Sequence, residues 1–170
     1  MTTAAITAGD VILTGKKSQG AVSVAIKIGE ALRGHRKEAR FSHCLLALDS
    51  DGTLIEAAAK GVRVTSVGAL HEGDWEHIPV GVAEHDMRQI RAFCDAVLEA
   101  RWKYGFATFA GLALYCLTGG QLCVQKAGTA ICSGLVSEAL TRAGEIFPRP
   151  PYAMMPADLY EHFRPLVDRS

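Results

Sequence analysis

Cysteine and histidine are the side chains of this sequence best suited to covalent and proton-transfer chemistry, and their surroundings sort them. A thiol attacks as thiolate, and its pKa falls at a helix N-terminus or beside a histidine. Cys44 stands inside an apolar strand-like run. Cys94 lies between Phe93 and Val97 on a helical pattern, and Cys116 and Cys123 belong to an uncharged stretch. Each of these four reads as a small buried hydrophobe. Cys132 differs. With Thr129 as N-cap it falls in the first turn of a helix, where unsatisfied N–H groups and the helix dipole favour an anion. Those N–H groups are also suited to hold the oxyanion of a tetrahedral intermediate.

The histidines separate in the same way. His35, His71, His77, His85 and His162 stand in polar or loop-like sequence and read as surface residues. His43 opens a strand whose other members, Cys44 to Leu48, are apolar on both faces, so it is either a satisfied core residue or a held base. Glu56 bears on that choice: it is an isolated carboxylate in Leu54-Ile55-Glu56-Ala57 on the neighbouring strand. A buried carboxylate needs a partner, and an imidazole is a natural one. In a hairpin with a loop of even length, positions 43 and 56 share a face. They are directly opposite across an Asp49-Ser50 loop, and one diagonal step apart across Asp49 to Gly52. An edge strand with Glu56 facing water is the alternative.

The elements that must position these residues follow from periodicity and turn chemistry. Val11 to Leu13 predicts a strand, and Ser18 to Leu32 a helix with Val22, Ala25, Ile26, Gly29 and Leu32 at helical spacing. Arg33 to Arg40 is a charged loop. Strands are predicted at Ser42–Leu48, Thr53–Ala57, Val62–Val67 and His77–Val82, with turns at 49–52 and Lys60-Gly61, which makes an antiparallel meander. Asp86 and Gln89 resemble a capping box before the stripe Met87, Ile90, Phe93, Val97 and Leu98. A buried helix is predicted over Phe106 to Leu117. Another runs from near Thr129 to Arg142 with Gly144 as terminator, and a short one covers Pro156 to Phe163. Strands in one block and helices in another indicate one α+β domain over residues 1–170, with helices on one face of an antiparallel sheet.

In their order, four segments resemble the circularly permuted branch of the papain-like NlpC superfamily. These are Gly9 to Leu13, Phe41 to Leu48, Leu54 to Ala57 with Gly61-Val62, and Ile131 to Val136. Bacterial YiiX-type proteins belong to that branch, and lecithin:retinol acyltransferase is a distant cousin. The histidine strand precedes the cysteine helix there, as it does here. The resemblance implies Cys132 as nucleophile, His43 as base and Glu56 as the third, polar member. It also implies a permuted papain-like fold, an antiparallel sheet or small barrel packed against the cysteine-bearing helix. Tyr104, Ser42 and Ser133 are the expected substrate-binding side chains. Two positions depart from the pattern: Gly105 follows Tyr104 where relatives often have an acidic residue, and Gly134 replaces an acidic residue two places after the cysteine.

A formal net charge of zero argues against broad nucleic-acid binding. The uncharged stretch between Lys103 and Lys126 is broken by glycine and polar residues, so a buried helix is expected rather than a membrane span. No secretory leader pattern is visible at the start, and an odd number of cysteines without metal-site spacing reads as reduced thiols, both pointing to the cytoplasm. The expected activity is a cysteine peptidase or amidase that forms a thioester and needs neither metal nor organic cofactor, its substrate a peptide or cell-wall-like amide. The alternatives are a thiol acyltransferase or lipid amidase, and an inactive binding module using Lys16-Lys17 and Arg33 to Arg40.

Overall fold

The computed structural model describes residues 5–15, 40–105 and 127–167. The expected helices over Ser18 to Leu32 and over Phe106 to Leu117, and the basic residues 16–17 and 33–39, lie outside them. Five strands form one antiparallel sheet: β1 (Val11–Thr14), β2 (His43–Ala47), β3 (Thr53–Ala58), β4 (Gly61–Ser66) and β5 (Trp75–Ile78). Their spatial order is β4-β3-β2-β1-β5. Among the described residues three α-helices accompany the sheet: α1 (Glu84–Glu99), α2 (Cys132–Arg142) and α3 (Pro156–Val167). A two-residue parallel bridge pairs β6 (Lys103–Tyr104) with β7 (Thr129–Ala130). The architecture is α+β.

The turn between β2 and β3 decides the register of the site. Asp49 Oδ1 accepts the amides of Asp51 and Thr53, both at 2.9 Å, which closes the turn over residues 49–52. Pairing then runs Leu46↔Ile55 and Ala47↔Leu54. Of the two registers allowed by the sequence, this is the one that sets positions 43 and 56 a diagonal step apart. The recorded ladder stops at Leu46↔Ile55, and residues 43–45 and 56–58 run on beyond it. On its other side β3 pairs fully with β4, with Glu56 opposite Arg63.

The two faces of the sheet are covered differently. Val11, Leu13, Cys44, Leu46, Ile55, Ala57 and Ile78 point into the main core. They meet Ile90 and Val97 of α1, Leu135, Val136, Ala139 and Leu140 of α2, and Leu159 and Phe163 of α3. The opposite face carries Ile12, Leu45, Ala47 and Leu54, all buried, and no helix packs there among the described residues. Val67, Leu70 and Trp75 cover it instead. Val67 and Leu70 belong to the connection from β4 to β5 and Trp75 opens β5; that connection spans four strand spacings, or ~19 Å on a flat sheet. Residues 67–74 reach up to roughly 27 Å when extended, so the crossing is within range. The fourth predicted strand therefore does not continue the meander. β5 crosses the sheet and pairs with β1.

Several boundaries also move. β5 ends at Ile78, because Pro79 has no N–H to give to a ladder. α1 starts at Glu84 with Ala83 as N-cap, so Asp86 lies within its first turn and does not cap it. α2 starts at Cys132 and its N-cap is Ile131, because Thr129 is held in β7. Gly144, at φ 87°, ends that helix where expected. Among the described residues no helix is long and apolar enough to cross a membrane.

Gly15 follows β1 and lies against Ser42, the residue before β2. Its φ is 112°, and a Cβ placed there meets the Ser42 Oγ at 2.1 Å and the Ser42 amide nitrogen at 2.7 Å. The Ser42 amide in turn donates to the Thr14 carbonyl at 2.9 Å. Gly15→Ala should therefore destabilise the fold by at least ~1 kcal/mol, since alanine is strained at positive φ and the contact is with backbone. A lower denaturation midpoint at unchanged slope, with weaker reactivity of the neighbouring His43 site, checks this.

Candidate active site

Cys132 is the first residue of α2 and is 2 % exposed. Ile131, in extended conformation, offers no side-chain cap. The first amide to bond back into the helix is that of Leu135, to the Ile131 carbonyl at 2.9 Å. The N–H groups of residues 132–134 precede it and lack an intrahelical acceptor, so the turn presents donors around the sulfur. Apolar anchoring by Leu135, Val136, Ala139 and Leu140 fixes the helix behind it. Three hydroxyls add to that: Ser133 Oγ donates to the Met154 carbonyl at 2.7 Å, Ser137 Oγ to Ser133 O at 2.7 Å and Thr141 Oγ1 to Ser137 O at 2.8 Å.

His43 Nε2 and Glu56 Oε2 are 2.5 Å apart. The other carboxylate oxygen, Oε1, accepts Nε of Arg63 at 2.8 Å and lies 2.7 Å from its Nη2. An imidazole has two nitrogens, and Glu56 occupies Nε2, which leaves Nδ1 as the nitrogen for Cys132. The four groups thus form a chain: thiol, imidazole, carboxylate, guanidinium. His43 and Glu56 share a strand face with Leu45 and Leu54, as expected, and Cys132 meets the imidazole where the β2–β3 ladder has ended.

Each group biases the ionisation of the next. Burial alone lowers the His43 pKa, but its contacts with Cys132 and Glu56 outweigh that and raise it to about 10. The Cys132 thiol is held well below its ordinary value, first by the Cys44 thiol that hydrogen-bonds to it and then by His43, against the opposing effect of burial. The Cys44 backbone amide also points at this sulfur. Burial pushes Glu56 upward, yet His43 and Arg63 together hold it below the usual carboxylate range. The stable form is a thiolate–imidazolium pair backed by a carboxylate.

Of the three expected substrate contacts, Tyr104 lies against the site. Its phenol is pushed upward by burial and by the neighbouring Cys132 and Cys44 sulfurs. The β6–β7 bridge holds it there, pairing Tyr104 with Ala130, two residues before the cysteine. Ser42 is buried next to His43, and its hydroxyl has no hydrogen-bond partner among the described residues. Ser133 is adjacent to Cys132, but its hydroxyl is spent on Met154. A hollow of about 240 Å³ adjoins the cysteine turn, lined by Trp102, Thr129, Ile131, Gly134 and Tyr152 among others. Among the described residues no group of three or more His, Cys, Asp or Glu is arranged to hold a metal ion.

Two participants were not singled out in the sequence. Arg63 is one, detectable only once Glu56 and Arg63 are placed opposite each other by the Lys60-Gly61 turn. Cys44 is the other: it is buried as expected, but against the Cys132 sulfur rather than in inert surroundings. Cys94 fits its assignment, its thiol pushed up to about 12 by burial and by Asp95. His77 does not read correctly as a surface residue. Its side chain is 9 % exposed and bonds Asp10 Oδ2 at 2.8 Å. Asp10 also accepts from the Thr7 amide and hydroxyl and from the Val80 amide, which ties the N-terminal loop to β5.

No family model matches the chain, and no curated protein matches it in sequence.

Alkylation of Cys132 by iodoacetamide should stay fast as pH falls through neutrality, whereas an ordinary thiol of pKa ~8.5 loses about tenfold per unit. The sign follows from the shifts: the thiolate persists above a lowered pKa, and its imidazolium partner persists up to about 10. His43→Ala removes one support of the anion, so ultraviolet thiolate absorbance should then appear only at higher pH. Cys132 contributes most to raising His43 and Glu56 adds to it, so Glu56→Gln should move the alkaline limb of Cys132 acylation by p-nitrophenyl acetate downward from about 10. The rate at its optimum should fall by roughly 10²–10⁴-fold. An unshifted limb in that variant would show that Glu56 does not act on the imidazole.

Proposed function

We propose that this protein is a cysteine-dependent hydrolase acting on an amide or ester bond through a thioester. The observation that supports it most is the chain of contacts from Cys132 to His43 to Glu56, with the sulfur seated at an uncapped helix start. The Cys132 thiolate attacks the carbonyl carbon, and the oxyanion forms against the unsatisfied amides of the first turn. The His43 imidazolium gives its proton to the leaving nitrogen or oxygen, the C–N or C–O bond breaks, and an acyl-thioester remains. Neutral His43 then takes a proton from water, whose oxygen attacks the thioester. Collapse of that second intermediate releases the acid and restores the thiolate–imidazolium pair. Glu56 keeps the imidazole oriented and stabilises its charged form, while Arg63 keeps Glu56 ionised.

The order histidine strand, carboxylate strand, cysteine helix is that of the permuted papain-like NlpC class, and it favours peptide or cell-wall-like amides as substrate. Tyr104 beside the sulfur, Ser42 with a hydroxyl unpartnered among the described residues and the hollow bounded by Trp102 and Tyr152 are the surfaces a bound acyl group would meet. No metal or organic cofactor enters the chemistry. The whole chain acts as one catalytic domain.

Incubation of the purified chain with fluorogenic peptide amides and with acyl-lipid amides separates a peptidase from a lipid amidase. Turnover should be accompanied by an acyl adduct on Cys132, seen by intact mass and discharged by hydroxylamine. Cys132→Ala should abolish both. Neither turnover nor an adduct with either substrate class would defeat the proposal and leave a binding role.

A further inference from the structure

Cys44 forms no covalent bond in the hydrolytic cycle, yet its sulfur meets the nucleophile directly. It belongs to β2, immediately after His43, and its side chain points to the sheet face covered by α2. Cys132 is the first residue of α2 and joins the same cluster. The Cys44 S–H group and backbone N–H are both directed at the Cys132 sulfur. Both sulfurs also lie within reach of the Tyr104 phenol. Neither cysteine is in a disulfide. Two thiols on different elements, one of them the reactive anion, are therefore in contact across the seam between sheet and helix.

We propose that Cys44 is a resolving thiol, so that oxidation of Cys132 ends in a reversible Cys44–Cys132 disulfide which switches the site off. This rests on Cys132 being the nucleophilic thiolate. The oxidant is a peroxide. The Cys132 thiolate attacks one peroxide oxygen and the O–O bond breaks; with hydrogen peroxide this gives the sulfenic acid Cys132–SOH and hydroxide. The Cys44 sulfur then attacks the Cys132 sulfur and the S–O bond breaks. The S–S bond forms, and the leaving hydroxide takes the Cys44 proton to become water. Closing from hydrogen-bond contact to an S–S bond of about 2.05 Å requires side-chain rotation, because the elements carrying the two residues are already packed together. A dithiol reductant reverses the step and returns the nucleophile. Without a neighbouring thiol, the sulfenic acid is open to further oxidation to sulfinic and sulfonic acids, which such a reductant does not reverse.

Cys94 serves as an internal control, since it is buried, its thiol is pushed upward, and its neighbour is Asp95. The full chain is treated with hydrogen peroxide, its remaining thiols are blocked, and it is digested without reduction for mass spectrometry. A peptide pair joined through Cys44 and Cys132 is expected, with Cys94 unmodified. Iodoacetamide labelling of Cys132 should vanish with the oxidant and return fully with dithiothreitol. In Cys44→Ser, whose hydroxyl keeps a donor near the sulfur, labelling before oxidation should be slower than in the wild type, since one support of the thiolate is altered, and it serves as that variant's own reference. After oxidation it should not recover, and Cys132 should carry two or three oxygens. Cys44→Ala guards against a folding defect in the serine variant, and circular dichroism checks both. The proposal is overturned if Cys132 bridges Cys116 or Cys123, if it is over-oxidised in the wild type, if it does not react, or if the variants recover as the wild type does. Because the disulfide is read by mass, its formation with neither turnover nor an acyl adduct would defeat the hydrolase proposal and leave the thiol pair standing.

Discussion

Glu56 is a carboxylate removed from water, and much of the site can be understood as what keeps it charged there. A buried anion is stable only when its lone pairs are taken by cationic donors. Glu56 divides its oxygens between two of them, His43 on one and Arg63 on the other. That division demands three strands in fixed register. The 49–52 turn sets β2 against β3, and the Lys60-Gly61 turn sets β3 against β4 so that Glu56 faces Arg63. A slip of one residue in either hairpin would turn Glu56 to the other face and leave both cations without it. The charge of the imidazole depends on the carboxylate, and the anionic form of Cys132 depends in part on that imidazole.

The sulfur draws on a second set of supports that comes from the helix side. α2 begins without a capping side chain, so its first-turn amides remain available at the very point where Cys132 sits. A serine or aspartate at position 131 would satisfy one of them, to the gain of the helix and the loss of the site. The stability forgone there is replaced by packing. Leu135, Val136, Ala139 and Leu140 are buried against the sheet, and the Ser133–Met154 bond clamps the first turn to the loop before α3. The helix is thus anchored along its length and unsatisfied at its tip.

Much of this was legible in the sequence, for reasons that can be named. The three positions of the proposed catalytic set stand out because each breaks its local pattern: a histidine and a glutamate inside apolar strands, and a cysteine where a helix begins. The Asp49-Ser50-Asp51-Gly52 turn restricts the register to two choices, and the structure takes one of them. What escaped detection depends on contacts between elements distant in sequence. β5 reads as the next strand of a meander, but the apolar face formed by Ile12, Leu45, Ala47 and Leu54 draws Val67, Leu70 and Trp75 across it and carries β5 to β1. Thr129 reads as a helix cap, but pairing of β7 with β6 claims it. Cys44 reads as a core residue and is one; only the seating of α2 reveals which sulfur it meets.

The same sheet holds a second buried histidine–carboxylate pair, and the contrast shows what makes the first one chemical. His77 and Asp10 lie 2.8 Å apart on β5 and just ahead of β1, and their side chains are more buried than His43. Asp10 is saturated by the Thr7 amide and hydroxyl and the Val80 amide. Among the described residues no sulfur or hydroxyl is bonded to His77. That pair ends in the Thr7 and Val80 groups bonded to Asp10, and it acts as a brace between the N-terminal loop and β5. The His43–Glu56 pair ends in a thiol at one side and a guanidinium at the other, so a shift of charge at either end is felt at the sulfur. Burial and hydrogen bonding are common to both pairs. The difference lies in what the outer groups are, and that is set by which helix tip and which neighbouring strand the fold brings to them.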